Sequence, residues 1–320
     1  MRYLRVVLLG AVVVAVVAFG PEAGAATTQI SGCDQTVKTN AVLTKGLFCQ
    51  GMPGIVVGAS GITIDLKGFR VRGDNTSGNI GVDDTGGFDK VTVKDGVVRN
   101  FDTGVYAVGD KVVISSLVVS GNSLSGVVTF GDSAKFTSVT ASGNGTNGIA
   151  VAGGSSASIT SAAASGNGAT GIQVSGVSAS IRSSTASGNH NGILVGSSAS
   201  LKSVTASGNF AAGITGSTTS GLSIASATAS GNGTNGIVIS GPSVSIKSST
   251  AFGNGDNGIV VNGDAASLKG NQADANGFPD GASDLAGLGI LVVPTTTAPT
   301  GTNTAGGNDD RAECDPAALC

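Results

Sequence analysis

The side chains of this 320-residue chain best equipped for chemistry crowd into one stretch: Asp83, Asp84, Asp89, Lys94, Asp95, Arg99, Asp102 and Asp110, with Tyr106 among them. A lysine or arginine facing a carboxylate-bearing substrate can take the proton beside that carboxylate, while aspartates hold a calcium ion that neutralises its charge. On that chemistry Lys94 and Arg99 are the candidate bases, and Asp83, Asp84, Asp102 and Tyr106 the candidate binding groups. Other chemistries find little to work with. The single histidine, His190, stands in Gly-Asn-His-Asn-Gly and reads as a solvent-facing loop residue, not a base. With one histidine, and Met52 the only methionine after Met1, soft-metal handling lacks ligands, and no resident metal site is expected.

These residues have to be held by a repeat. From Leu117 to Asn276 the chain reads roughly Ile-x-x-x-x-Ala-x-Gly-Asn-x-x-x-Gly-Ile-x-Val about once every 22 residues. The asparagines fall at Asn122, Asn144, Asn167, Asn189, Asn209, Asn232, Asn254 and Asn276, and Asn100 extends the series one step. A unit this short cannot enclose a core of its own and must bury its apolar face on its neighbours. Each copy holds three short apolar stretches: Gly-Ile-x-Val, a single large aliphatic such as Ile159 or Leu201, and a small-residue strand with Ala141, Ala164 or Ala186 at its centre. Alternation by two marks strands with one buried face, and glycine with β-branched residues at this density disfavours helix. The pattern predicts an all-β parallel solenoid of about ten turns, stacked ~4.8 Å apart. From the second-strand aliphatic to the asparagine there are eight residues in every copy from Ile114–Asn122 to Leu268–Asn276, which predicts one rigid corner carrying a stacked asparagine ladder.

Two outward columns follow from this register. After the second-strand aliphatic come Arg182, Lys202, Lys247 and Lys269, and Lys94 joins them only after a one-residue slip. A broken cationic stripe suits a uronic-acid polysaccharide. The plainer reading is that like charges in adjacent turns keep exposed sheets from aggregating, just as charged terminal turns stay soluble and resist end-to-end stacking. On the third strand, pairs such as Thr185 with Ser187 and Thr205 with Ser207 form a hydroxyl lattice of the kind ice-binding solenoids present, interrupted by Ala163 and Ala273.

The repeated Ala-Ser-Gly-Asn and Gly-Ile-x-Val blocks resemble the right-handed parallel β-helix repeat family, the superfamily that includes pectate lyases. Gly-Ile-Thr-Ile-Asp-Leu-Lys-Gly-Phe at 61–69 is similar to the opening turn of its secreted bacterial members, and Gly-Gly-Asn-Asp-Asp at 306–310 to their disulfide-closed end. The resemblance implies a right-handed coil and glycan partners, but no single activity, because the fold hosts many. Of the polygalacturonase motifs only Asp83-Asp84 has a counterpart, and the Asp-Pro-His-Asp of alginate epimerases is absent, so paired-carboxylate hydrolysis has little support. The expectation is a non-catalytic secreted β-helix that presents an extended surface to polysaccharide or cell-envelope partners. A calcium-dependent polysaccharide lyase using the charged N-terminal turns is the alternative, and an ice-binding solenoid the third reading.

The ends of the chain complete the plan. Arg2 and Arg5 precede an apolar run from Val6 to Phe19, and Ala23-Gly24-Ala25 offers small residues for cleavage. That grammar predicts a signal peptide over 1–25, because 14 apolar residues fall short of the roughly 18–20 that span a bilayer. A cap and opening turn are expected over 26–75, repeats over 76–293, and a linker with a closed C-terminal cap over 294–320. Cys33 with Cys49 and Cys314 with Cys320 are expected to form two local disulfides in an oxidising compartment, one at each end. Without the leader, 15 basic residues (17 less Arg2 and Arg5) face 19 acidic ones (20 less Glu22), a balance of −4. That gives no reason to expect nucleic acid or insertion in an anionic membrane, and a monomer is expected. The longest insertion, Gly277–Leu288 with Phe278, Asp280 and Asp284, is expected to cover the last turns.

Overall fold

The computed structural model describes residues 27–277, 287–293, 299–308 and 313–320. The leader, most of the Gly277–Leu288 insertion with Phe278, Asp280 and Asp284, and the first half of the linker lie outside the described residues. Among the described residues no helix is long and apolar enough to cross a membrane. The chain winds as a right-handed parallel β-helix of about 12 turns with roughly 22 residues per turn, two more turns than the repeat count suggests. Among the described residues the first strand is Thr28–Ile30, which pairs with Ala41–Leu43, so the segment ahead of the visible repeats is already coiled.

Three faces result. The first is a sheet of thirteen parallel strands, from Gln35–Val37 to Cys314–Asp315, built on the Gly-Ile-x-Val blocks. The second carries the large aliphatics and the third the small residues. These two form one hydrogen-bonded sheet, because Thr92–Arg99 and Val113–Ser120 each run round the corner between them as single strands. Ile149, Val151, Ile159 and Ala164 point inward and are buried, as are their equivalents in the other repeats. The core is a continuous stack of aliphatics from one end of the coil to the other.

The eight-residue rule has a backbone cause. Between the second and third faces one residue per turn takes left-handed angles, as at Ser161 (φ 54°) and Ser203 (φ 54°). A second left-handed residue precedes each asparagine, usually glycine, as at Gly166 (φ 61°). Two sharp bends a fixed distance apart leave no room for insertions. The asparagine that follows is buried and joins adjacent turns: Asn144 Nδ2 donates to Asn167 Oδ1 at 2.8 Å, and Asn167 Nδ2 to Asn189 Oδ1 at 2.8 Å. From Asn144 onward each Oδ1 also accepts the backbone N–H of the previous asparagine, and each Nδ2 also donates to a third-face carbonyl such as Ala141 O. The ladder dictates the small residues around it. A Cβ on Gly148 would lie 2.8 Å from Asn167 Nδ2 and 3.2 Å from Ala141 Cβ.

Asn100 does not belong to this ladder. Arg99 pairs with Ser120, so Asn100 stands level with Gly121 and takes that glycine's left-handed angles (φ 58°). Phe101 fills the rung, fully buried, and its N–H donates to Asn122 Oδ1. Asparagine is among the few residues that tolerate left-handed angles, which is why it substitutes for glycine here. With Phe101 as the rung, Lys94 stands in register without a slip. Val93 to Phe101 is eight residues, and Lys94 pairs directly with Asp65 and Ser115. Both expected disulfides are present, Cys33–Cys49 and Cys314–Cys320, with Cα separations of 5.5 and 6.0 Å.

Candidate functional site

Consecutive residues of a strand point to opposite sides, and this separates the charged N-terminal residues. Asp83 faces outward on the first face, between Val56 and Tyr106, and its Oδ1 accepts the Thr85 N–H. Asp84 faces the core and is 1% exposed. Its Oδ1 accepts the Phe88 N–H, while its Oδ2 has no partner. Burial, opposed by N–H groups of Phe88 and Gly109 and reinforced by Asp83 and Asp89, lifts its pKa to about 6. The Asp83-Asp84 pair therefore does not converge on a substrate.

Lys94 stands on the second face, with its ammonium 3.1 Å from Asp65 and 3.0 Å from Asp95. Hydrogen bonds to Asp95 and then Asp65 hold the ammonium above its ordinary pKa. Burial pushes Asp65 up, but the Lys67 N–H and the ammonium groups of Lys67 and Lys94 outweigh it and leave the carboxyl below its usual range. An amine kept charged in this way is a poor proton acceptor at neutral pH. Arg99 stands on the third face in line with Arg72, half-buried, its Nε without a partner. Asp102 is occupied at the next corner, accepting the Gly78 N–H and the Ser123 hydroxyl. Tyr106 is on the first face with its ring tilted against Phe130 at 5.4 Å. The lyase candidates thus occupy three different faces. Among the described residues, no three acidic, histidine or cysteine side chains come together as metal ligands.

The structure does bring together the second-face cations. Arg182 pairs in register with Lys202, and Lys247 with Lys269, separated by the single gap at Ala225. Two residues before each cation runs a parallel column of serines, Ser180, Ser200, Ser223, Ser245 and Ser267. With Ser198, Ser220 and Ser243, the middle three of this column, Ser200, Ser223 and Ser245, line a shallow groove of about 450 Å³. The serines were readable in the recurring Ser-Ile-Arg, Ser-Leu-Lys and Ser-Ile-Lys triplets, whose first position a search for charged groups passes over. On the third face the Thr and Ser columns stack in register, but Ala273 points inward, and the column is broken by Ala163, Phe252 and Gln272.

Comparison with known proteins bears on the fold. The right handed beta helix region family matches residues 125–273. The A-module of the mannuronan C-5 epimerase AlgE4 of Azotobacter vinelandii superimposes with a TM-score of 0.55 at 14% identity, over 88% of this chain and 87% of that one. The periplasmic alginate epimerase AlgG superimposes with a TM-score of 0.54 at 13% identity, over 85% of this chain and 76% of that one. No curated protein matches the chain by sequence. Wound as it is around an internal asparagine ladder, the chain is by its fold a right-handed parallel β-helix.

Proposed function

We propose that this protein is a secreted, non-catalytic β-helix that binds an anionic polysaccharide along its second face. The observation that carries this reading is the pair of stacked cations, Arg182–Lys202 and Lys247–Lys269, beside the serine-lined groove. Two like charges ~4.8 Å apart repel by roughly 1 kcal/mol even in water, and a polyanion laid along the axis relieves that repulsion. Protection against aggregation explains the stripe less well. A closed coil has unpaired strand edges only at its two ends, and Arg182 and Lys202 lie mid-coil, whereas Lys269 stands on the last second-face strand among the described residues, where edge protection also applies. The two similar structures are named for epimerases of alginate and mannuronan, which agrees with a glycan partner. The disulfides agree with an oxidising compartment outside the cytoplasm.

The test is calorimetry and affinity electrophoresis on polyuronates. Binding should weaken steeply with salt, and Arg182→Gln, Lys202→Gln, Lys247→Gln and Lys269→Gln combined should abolish it. Ultraviolet absorbance of the same mixtures with calcium should show no unsaturated product. Steady product formation that disappears in Arg99→Ala would replace this reading with a lyase, the partnerless Arg99 Nε being the one observation on that side.

A further inference from the structure

The residue following each ladder asparagine sits at the corner between the third and first faces, and most turns place glycine there. A Cβ on Gly145, Gly168 or Gly233 would come within 2.0–2.2 Å of the carbonyl oxygen of the turn before. Two consecutive turns break the rule with rings, His190 and Phe210. The His190 corner is one residue shorter than its neighbours: Asn189 to Ile193 is four residues, against five for Asn167 to Ile172 and Asn209 to Ile214. The two rings stack on each other, with centroids 5.5 Å apart and planes 26° apart. Phe210 is 77% exposed. Phe252, also exposed, stands two strand spacings further along in the column of Ser207 and Ser230, about 10 Å in axial distance.

A large apolar ring costs free energy when it is left in water, so two such rings on one flank point to an occupant. The surroundings identify its chemistry. Around the rings lie Ser187, Ser207, Thr205 and Thr228, whose hydroxyls make no hydrogen bond among the described residues, and glycine corners, not aliphatics. A protein partner needs a contiguous desolvated patch of several hundred Å² per side, which isolated rings in a hydroxyl field do not supply. A pyranose ring needs less: an aromatic face under its C–H face and hydroxyls at its rim.

We propose that His190, Phe210 and Phe252 form a stacking platform for the pyranose rings of a glycan chain lying across the third face. This rests on the glycan-binding reading above, and adds a subsite that recognises sugar rings independently of their charge. The chain has no tryptophan, so Phe210→Trp introduces a lone fluorescent reporter. The probes are cellohexaose, mannohexaose and a hexauronate. Saturable emission changes are expected with at least one of them, and Phe252→Ala or His190→Ala should weaken that binding roughly three- to tenfold. The second-face glutamine variant should keep the response to the neutral sugar. Flat emission with all three probes overturns the platform. If polyuronate binding that depends on the second-face cations persists in that case, the function proposed above still stands. Emission that shifts with protein concentration alone, with a dimer in sedimentation, also overturns it and assigns the rings to a second copy of the chain.

Discussion

Replacing Asn189 by alanine tests whether the ladder holds the turns together. Asn189 Oδ1 accepts the Asn167 N–H at 3.0 Å and the Asn167 amide at 2.8 Å, and its own amide donates to Ala164 O at 3.1 Å and Asn209 Oδ1 at 3.2 Å. Truncation removes all four bonds inside a site closed to water. The Asn167 N–H is left with no acceptor, and three other groups each lose a bond. An orphaned buried donor costs about 1–3 kcal/mol, and three weakened groups with a small void add a similar amount, so the expected loss is about 3–5 kcal/mol. Stability in a stacked coil is a sum of local and neighbour terms, so the damage should be regional, not global. Hydrogen exchange followed by mass spectrometry should show faster exchange over 160–215, with residues 30–90 unchanged. Asn122→Ala is the internal control. Its side chain makes two bonds in place of four, accepting the Phe101 N–H and donating to Asn144 Oδ1, so its loss should be smaller. If Asn189→Ala melts with the native protein and keeps native protection at the Asn167 amide, the ladder is an accompaniment of the stack and not a cause of it.

Asp84 makes stability depend on pH. Its folded pKa of about 6 exceeds the ordinary 3.8, so its protonated form favours the fold. That contribution, at most about 3 kcal/mol, is complete below pH ~4 and is lost as pH rises through ~6. Melting temperature followed by circular dichroism should fall between pH 4.5 and 7.5, and Asp84→Asn should flatten that fall. A native profile that rises over this range would contradict the assignment. Gly168→Ala places a methyl group 2.2 Å from Gly145 O, forcing the backbone apart, and should cost about 2 kcal/mol or more by urea denaturation. An unchanged midpoint would mean the corner yields freely, and would weaken the steric account of His190 and Phe210.

The architecture was legible because a period of 22 leaves few folds that bury its apolar positions, and because eight residues from aliphatic to asparagine never varied. The reading failed where residue identity and position parted company. Asn100 looks like a rung, yet it serves as the left-handed residue beside the rung that Phe101 fills. The constant spacing of eight runs from Val93 to Phe101, and the asparagine beside it masks that rung. Ala273 misled for a related reason: it lies three residues before Asn276, as the inward Ala141 lies before Asn144, and its pairing with Ala251 bears out that register. The charged stretch at 83–110 was compact in sequence and scattered in space, since a coil distributes any run of about 20 residues over all its sides. The second-face cations fared better, because positions one period apart are what a coil brings together.

The ladder also crosses the longest break in the repeat. Asn276 donates to Asn308 Oδ1 at 3.0 Å, and Asn271 to Asn303 Oδ1 at 2.9 Å, each across 32 residues where 22 is the rule. Two rows of amides therefore keep step across about ten extra residues of chain. Each doubling of such a segment costs only about 0.6 kcal/mol in closure entropy. A polar peptide inserted between Gly277 and Leu288 should therefore leave the melting temperature nearly unchanged.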